Sequence, residues 1–349
     1  MVSITSTASL ANTLRRTVLD TQNQMTKAQV EVSTGRVADL GLALGGDAGR
    51  DFALGVRSAD LASIANSNAV IAARLDSADT TLESIAKTAQ TMLEALIGTQ
   101  SGAGSDAQAI EANAVAGLKS LVAALDTSVA GVYLFGGLNS STKPIADYFS
   151  DPPSAARQAV EQAFVGAFGV TQTSDAVGNI DQSQMEAFLA GDFANLFSSS
   201  SWSADWSSAT DRGTSNRISL SQIAETSVSA NDSALRGIAM AYTMVADLGI
   251  SKLGEDAYQE VLTTAAETLG TAISGLTRLR ASVGVMQKNV ADANEAITAQ
   301  RNVLATQIGA LENVDPYEAS TRLNNLTTQL ETSYTLTGKI QQLTLAKYL

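Results

Sequence analysis

The residues able to do chemistry in this chain are few in kind. Its 349 residues include no histidine and no cysteine. That excludes Ser-His-Asp and Cys-His nucleophilic catalysis, imidazole or thiolate metal ligation, haem attachment through either residue, and disulfide cross-linking. The ionisable side chains that remain are 35 Asp+Glu and 22 Lys+Arg. Carboxylates could work as a glycoside-hydrolysing pair, which requires a separation of about 5–10 Å. Nothing in their spacing here sets such a pair. Gly45-Gly46-Asp47-Ala48-Gly49-Arg50-Asp51 has the rhythm of a calcium-binding glycine repeat, but in a single copy, so a loop is the expected reading. No phosphate-loop or dinucleotide fingerprint is present. Trp202 and Trp206, four residues apart, could form a ligand platform; the core of a small domain is the favoured alternative. The Ser-rich stretch 198–208 reads as a flexible loop rather than a glycosylated surface. No catalytic residue, metal ligand or cofactor is expected.

Charge narrows the field further. The net charge of −13 opposes binding to nucleic acid, which needs a basic face, and to anionic membranes. No run of 18 apolar residues exists, so no membrane-spanning helix is expected. Met1-Val2-Ser3-Ile4-Thr5-Ser6 lacks a basic n-region and an apolar h-region, so no cleavable secretory signal is expected there.

The elements that could position anything are helices. Leu10, Leu14, Val18, Thr21, Met25, Ala28 and Val32 follow 3–4 spacing. Glycines 35, 41, 45, 46, 49 and 55 then mark a loop or broken helix. Leu61, Ile64, Asn68, Ile71, Leu75, Ala78, Leu82, Ile85, Ala89, Met92 and Leu96 alternate +3 and +4 without a slip, which is a coiled-coil seam roughly 54 Å long at 1.5 Å per residue. Polar Asn68 sits in that seam, either fixing register or as a satisfied amide. Gly98 to Gly104 breaks the helix, and Ile110, Ala114, Leu118, Leu121 and Leu125 suit an antiparallel return.

Composition changes near Gly131. Three of the four prolines, both tryptophans and most phenylalanines follow, and residues 140–230 carry four basic and ten acidic side chains. Short helices are expected over 155–168 and 182–197, and short strands over 218–221 and 225–228. Asn231-Asp232-Ser233 is an N-cap cluster. After it come a stripe from Leu235 to Leu248, a helix over 258–279, another over 279–311, a break at Asp315-Pro316, and a last helix through Leu323, Leu326, Leu330, Tyr334, Ile340 and Leu343.

The expected fold is mainly α: a long helical-bundle or coiled-coil rod formed by the N- and C-terminal halves, with a small inserted α+β domain. The expected parts are terminal assembly helices at 1–34 and 317–349, a helical rod domain at 35–139 and 231–316, and an inserted outer domain at 140–230. A lone helix with a modest apolar stripe is marginal in water. Both ends are therefore expected to be loose in the free monomer and to order against neighbouring copies. Leu10, Leu14, Val18, Met25, Val32, Leu323, Leu326, Leu330, Tyr334, Ile340, Leu343 and Tyr348 are the expected assembly interface.

Particular residues resemble the bacterial flagellin family. Gln29-Val30-Glu31-Val32-Ser33-Thr34-Gly35-Arg36-Val37 is similar to its N-terminal signature, where a helix ends at a Ser-(Thr/Ser)-Gly-(Arg/Lys) turn. Leu279-Arg280-Ala281-Ser282-Val283-Gly284 and Val314-Asp315-Pro316-Tyr317-Glu318-Ala319 resemble its C-terminal half. Within the family, Gly131-Val132-Tyr133-Leu134-Phe135-Gly136-Gly137-Leu138-Asn139 with Lys143-Pro144-Ile145 resembles the hook-associated subunits of the hook–filament junction, as does the ending Leu343-Thr344-Leu345-Ala346-Lys347-Tyr348-Leu349. Residues 89–96 lack the arginine that immune-receptor-active flagellins carry there, so receptor activation is not expected.

The resemblance implies a secreted, non-enzymatic structural protein. It would be exported through the flagellar type III apparatus with a chaperone and self-assemble in a ring between an adjacent hook-associated junction protein and flagellin. The rivals are a filament flagellin, an enzyme or sugar-binding module housed in 140–230, and a soluble coiled-coil tether.

Overall fold

The computed structural model describes residues 7–100 and 107–345. It is 76% helical, as the long 3–4 periodic runs require. In chain order the elements are α1 (Thr7–Thr34), α2 (Leu40–Leu44), α3 (Ala48–Gln100), α4 (Ala107–Leu125), β1 (Ser128–Val129), β2 (Val132–Tyr133), α5 (Ala155–Phe168), α6 (Gln182–Phe188), α7 (Ser199–Ser201), β3 (Ser215–Arg217), β4 (Ile223–Glu225), α8 (Ser233–Asp247), α9 (Glu255–Glu312) and α10 (Pro316–Leu345). The strands form two antiparallel hairpins, β1–β2 and β3–β4.

The structure redraws several element boundaries. The two helices expected over 258–311 are one helix of 58 residues, α9. Leu279 and Gly284 lie inside it, because glycine lowers helix propensity by about 1 kcal/mol without forbidding the conformation. For the same reason α3 already begins at Ala48, within the glycine cluster. The second hairpin pairs Ser215 with Glu225 and Arg217 with Ile223, so 218–221 is its turn rather than a strand. Ile218 is fully buried there. The helix expected over 182–197 is α-helical only to Phe188 and widens into a π turn over Leu189–Phe193. The wider turn carries a run of rings, Phe188 to Phe193 at 5.8 Å and Phe193 to Phe197 at 5.2 Å between centroids.

The chain forms two compact units, Met1–Ala62 with Ile297–Leu349, and Ser63–Ala296. In the second unit the seam read from sequence is the core. Ile71, Leu75, Ala78, Leu82, Ile85, Ala89, Met92 and Leu96 of α3 are buried in one cluster with Ile110, Leu118, Leu121 and Leu125 of α4, Leu235 and Ile238 of α8, and Val261, Leu269, Leu276 and Val290 of α9. Each such side chain contributes about 1.5–3 kcal/mol by leaving water. Gly117 is where α4 meets α8: a Cβ there would overlap the Tyr242 ring.

Polar pairs along α3 and α9 fix an antiparallel register. Asn68 bonds Asn294, Asp76 accepts from Gln287, Asp79 and Glu83 pair with Arg280, and Gln100 bonds Thr263. As numbers rise on one helix they fall on the other.

The segment 140–230 shares this core. Phe135, Tyr148, Phe164, Phe193, Trp202 and Trp206 belong to the same buried cluster as Leu75 and Leu118. Trp202 and Trp206 stack at 5.0 Å with an interplanar angle of 13°, and Trp206 stacks on Tyr148 at 5.0 Å. The residues of the suspected ligand platform are therefore interior packing.

Candidate assembly interface

In the unit Met1–Ala62 with Ile297–Leu349, α1 and α10 pack antiparallel. Gln22 Nε2 donates to the Tyr334 hydroxyl at 2.6 Å, and Arg322 Nη1 donates to Glu31 Oε2 at 3.1 Å. The shared seam follows 3–4 spacing on α1: Leu14, Val18 and Met25 are half-buried, and Thr21, Ala28 and Glu31 are buried. On α10, Leu326 is buried and Leu323 and Leu330 are half-buried.

Two expected motifs meet at a clasp. Gly35 ends α1 with φ +70°, a left-handed conformation that glycine adopts without Cβ strain. Its N–H donates to Glu31 O at 2.9 Å. The Gly35 carbonyl then accepts from Val314 N at 3.0 Å, and Val37 N donates to Glu312 O at 2.8 Å. The Arg36 guanidinium pairs with Glu312 at 2.7 Å. Thus the Ser33-Thr34-Gly35-Arg36 turn and the Val314-Asp315-Pro316 joint, almost 280 residues apart in the chain, form one hydrogen-bonded corner. Asp315 caps α10 by accepting from Tyr317 N at 2.8 Å, and Pro316 takes the first helical position, where its missing N–H costs nothing. Asp39, capping α2 and bonded to Lys27 at 3.0 Å, is held below the usual carboxylate range, first by the Lys27 bond and then by Leu42 N–H.

The structure sorts the twelve expected interface residues. Leu14, Val18, Met25, Leu323, Leu326 and Leu330 line the seam between α1 and α10. Val32 faces outward, 37% exposed, and Tyr334 is 52% exposed at the seam's edge, where its hydroxyl meets Gln22. Glu31, not Val32, is the residue turned into the seam. Tyr348 and the side chains of Leu10, Ile340 and Leu343 lie outside the described residues. Sequence reasoning missed a second apolar set on the outer faces of this unit: Leu19, Val30, Leu42, Phe52, Tyr317 and Leu336 are all exposed. Of the eighteen exposed large hydrophobic side chains among the described residues, eleven lie in this unit, which is about a third of the chain. No 3–4 stripe flags them, because a helix pair buries one face and leaves the other unpatterned. Large exposed apolar patches mark interaction surfaces.

The segment 131–145 is an internal joint of the second unit. Leu134 and Phe135 are buried. Phe135 O accepts from Ala230 N at 2.8 Å, and Leu138 N donates to Thr210 Oγ1 at 2.7 Å. Gly137 has φ +61°, and a Cβ on it would overlap Thr210 O. Asp126 accepts from Ile145 N at 3.1 Å and from Lys143 at 3.0 Å. Burial pushes the Asp126 carboxyl up despite these partners, and the Asp126 bond raises Lys143.

Among the described residues no cluster of three metal-capable side chains occurs, and no helix is long and apolar enough to cross a membrane.

The fold is that of a mainly helical protein whose N- and C-terminal helices pair and clasp. The chain belongs to the bacterial flagellin family: residues 5–140 match the model of the bacterial flagellin N-terminal helical region, and residues 266–349 match that of the C-terminal helical region. Proteins of this family are structural rather than enzymatic, and they self-assemble into the extracellular flagellum. Among solved structures the fold is similar to a chain described as a flagellar hook-associated protein from Vibrio parahaemolyticus, with a TM-score of 0.52 and 10% identity over 75% of this chain and 96% of that one. No curated protein matches the chain.

Proposed function

We propose that the chain is a structural subunit of the hook–filament junction. In this reading it is exported through the flagellar type III apparatus with a chaperone. It then assembles as a ring, through its terminal helices, between an adjacent hook-associated protein and flagellin. The observation that carries assembly is the concentration of exposed apolar side chains on the unit built from both chain ends. Leu19, Val30, Tyr317 and Leu336 would be covered by sister subunits, and burial of that area would order α1 and α10 as it stabilises the ring. Such contacts between unlike faces build tubular arrays.

The junction position, rather than the filament, is supported by the segment 131–145 and by the hook-associated description of the Vibrio chain. A filament flagellin is the second reading, favoured by the two flagellin regions matched. Deletion of the gene separates them. The junction role predicts hooks without filaments and flagellin shed as monomer. Hooks still bearing normal filaments would contradict it. In seeded polymerisation, addition that stops after a short increment supports the junction, and long unaided growth supports a flagellin.

A further inference from the structure

A small cavity in the unit Ser63–Ala296 combines an apolar wall, Ile71, Leu75, Val132 and Val228, with a group of polar side chains. It measures about 50 Å³ and is lined by Arg74 of α3, Tyr133 of β2, Ser140, and Thr214, Asn216 and Ser227 around the second hairpin. A water needs about 10–15 Å³ on this kind of measure, so the space suits one small polyatomic group. Arg74 Nε is buried and bonds to no protein atom. The carboxylates nearest to it along α3 are committed elsewhere: Asp76 accepts from Gln287 at 2.7 Å and Asp79 from Arg280 at 2.9 Å. The chain holds 35 Asp+Glu, yet none lines the cavity.

Two of the polar lining groups have protons to spare. Ser227 Oγ accepts from Thr214 N at 2.7 Å, which leaves its own O–H to give. Asn216 Nδ2 spends one hydrogen on Thr226 Oγ1 at 2.5 Å and keeps a second. A buried guanidinium nitrogen without an acceptor is costly. An anion relieves that cost better than a neutral acceptor, because it adds Coulomb attraction to the cation in a site removed from bulk water. The planar fork of arginine suits an oxyanion with several oxygens.

We propose that this cavity binds one small tetrahedral oxyanion of the phosphate or sulfate type, held by Arg74 with the Ser227 hydroxyl and the Asn216 amide. The site is independent of the assembly surface.

Calorimetric titration of the full chain with inorganic phosphate, at ionic strength balanced with sodium chloride, tests it. The expected result is saturable binding of one phosphate per chain, weakened at least tenfold by Arg74→Gln and less by Arg74→Lys. The Arg74 Nε–H resonance of the wild type should also shift along the same saturation curve. That readout stands without a variant, should Arg74→Gln fail to fold. Absent or non-saturating heat with an unmoved Nε resonance, or equal binding by a folded Arg74→Gln, would overturn the proposal.

Discussion

Asn68 of α3 donates to Asn294 of α9 at 2.9 Å across 226 positions of sequence, and its second amide hydrogen reaches the Ile218 carbonyl at 2.8 Å. Asn68 is fully buried. One side chain therefore ties the long helix pair to the turn of the second hairpin and sets the register that Asp76, Asp79 and Gln100 continue. Asn68→Ala removes both bonds, leaving the buried Ile218 carbonyl without its Asn68 donor, and should destabilise by about 1–3 kcal/mol. The double variant Asn68→Leu with Asn294→Leu should recover part of that loss, because both polar groups are then gone. Denaturant unfolding of the three proteins measures it.

Glu31 and Arg322 join α1 to α10 in a seam whose other buried members include Thr21, Ala28 and Leu326. Glu31 is almost fully buried, and it also accepts from Ala38 N at 3.3 Å. Removing either partner alone should cost more than removing both. A double-mutant cycle with Glu31→Gln and Arg322→Met should return a coupling energy of about 0.5–3 kcal/mol. Additive losses would mean that the pair is ornamental.

The outward apolar set can be separated from folding. Leu19→Ser and Leu336→Ser replace exposed side chains, so each should change monomer stability by no more than about 0.5 kcal/mol. Together they should sharply reduce incorporation into assembled material, read by sedimentation of seeded polymer. Leu326→Ser, at the buried seam, should instead lower stability of the terminal unit itself.

Asp247 supplies a pH dependence. Burial raises its carboxyl pKa, against the Tyr148 hydroxyl at 2.7 Å and Arg157 at 3.6 Å. Burial, with the Asp247 charge, lifts the Tyr148 phenol well above its ordinary range. A carboxyl that binds its proton more tightly when folded adds stability at low pH and loses it as pH rises above the ordinary Asp value. Wild-type stability should therefore decline with pH over that window more steeply than that of Asp247→Asn, as followed by thermal unfolding at matched ionic strength.

The long elements were legible because a buried helix face writes itself at 3–4 spacing. In the run read from Leu61 to Leu96, the positions from Ile71 onward are core, as is the stripe of α8, while Ile64 is half-buried. The ends of α5 were legible too, where Ser154 accepts from Arg157 N and Gly169 closes the helix with φ +71°. Breaks were harder. Leu279 and Gly284 stay helical because buried Leu276, Val283 and Val290 anchor α9 along that stretch, and 218–221 is a turn with Ile218 buried in it. The clasp was half legible: the Gly35 turn and the Asp315-Pro316 joint each stand out, but nothing in one dimension says that they bond to each other. The exposed apolar residues of the terminal unit were illegible as a set, since no seam fixes their spacing.

In the proposed function the chain ends acquire firm structure through assembly. Amide hydrogen exchange of dilute monomer and of assembled material, compared over 7–34 and 316–345, tests it most directly. Both ends should exchange fast in monomer and be strongly protected in the polymer, with 71–96 slow in both. Equal, strong protection of both ends in a monomer that does not assemble would contradict it.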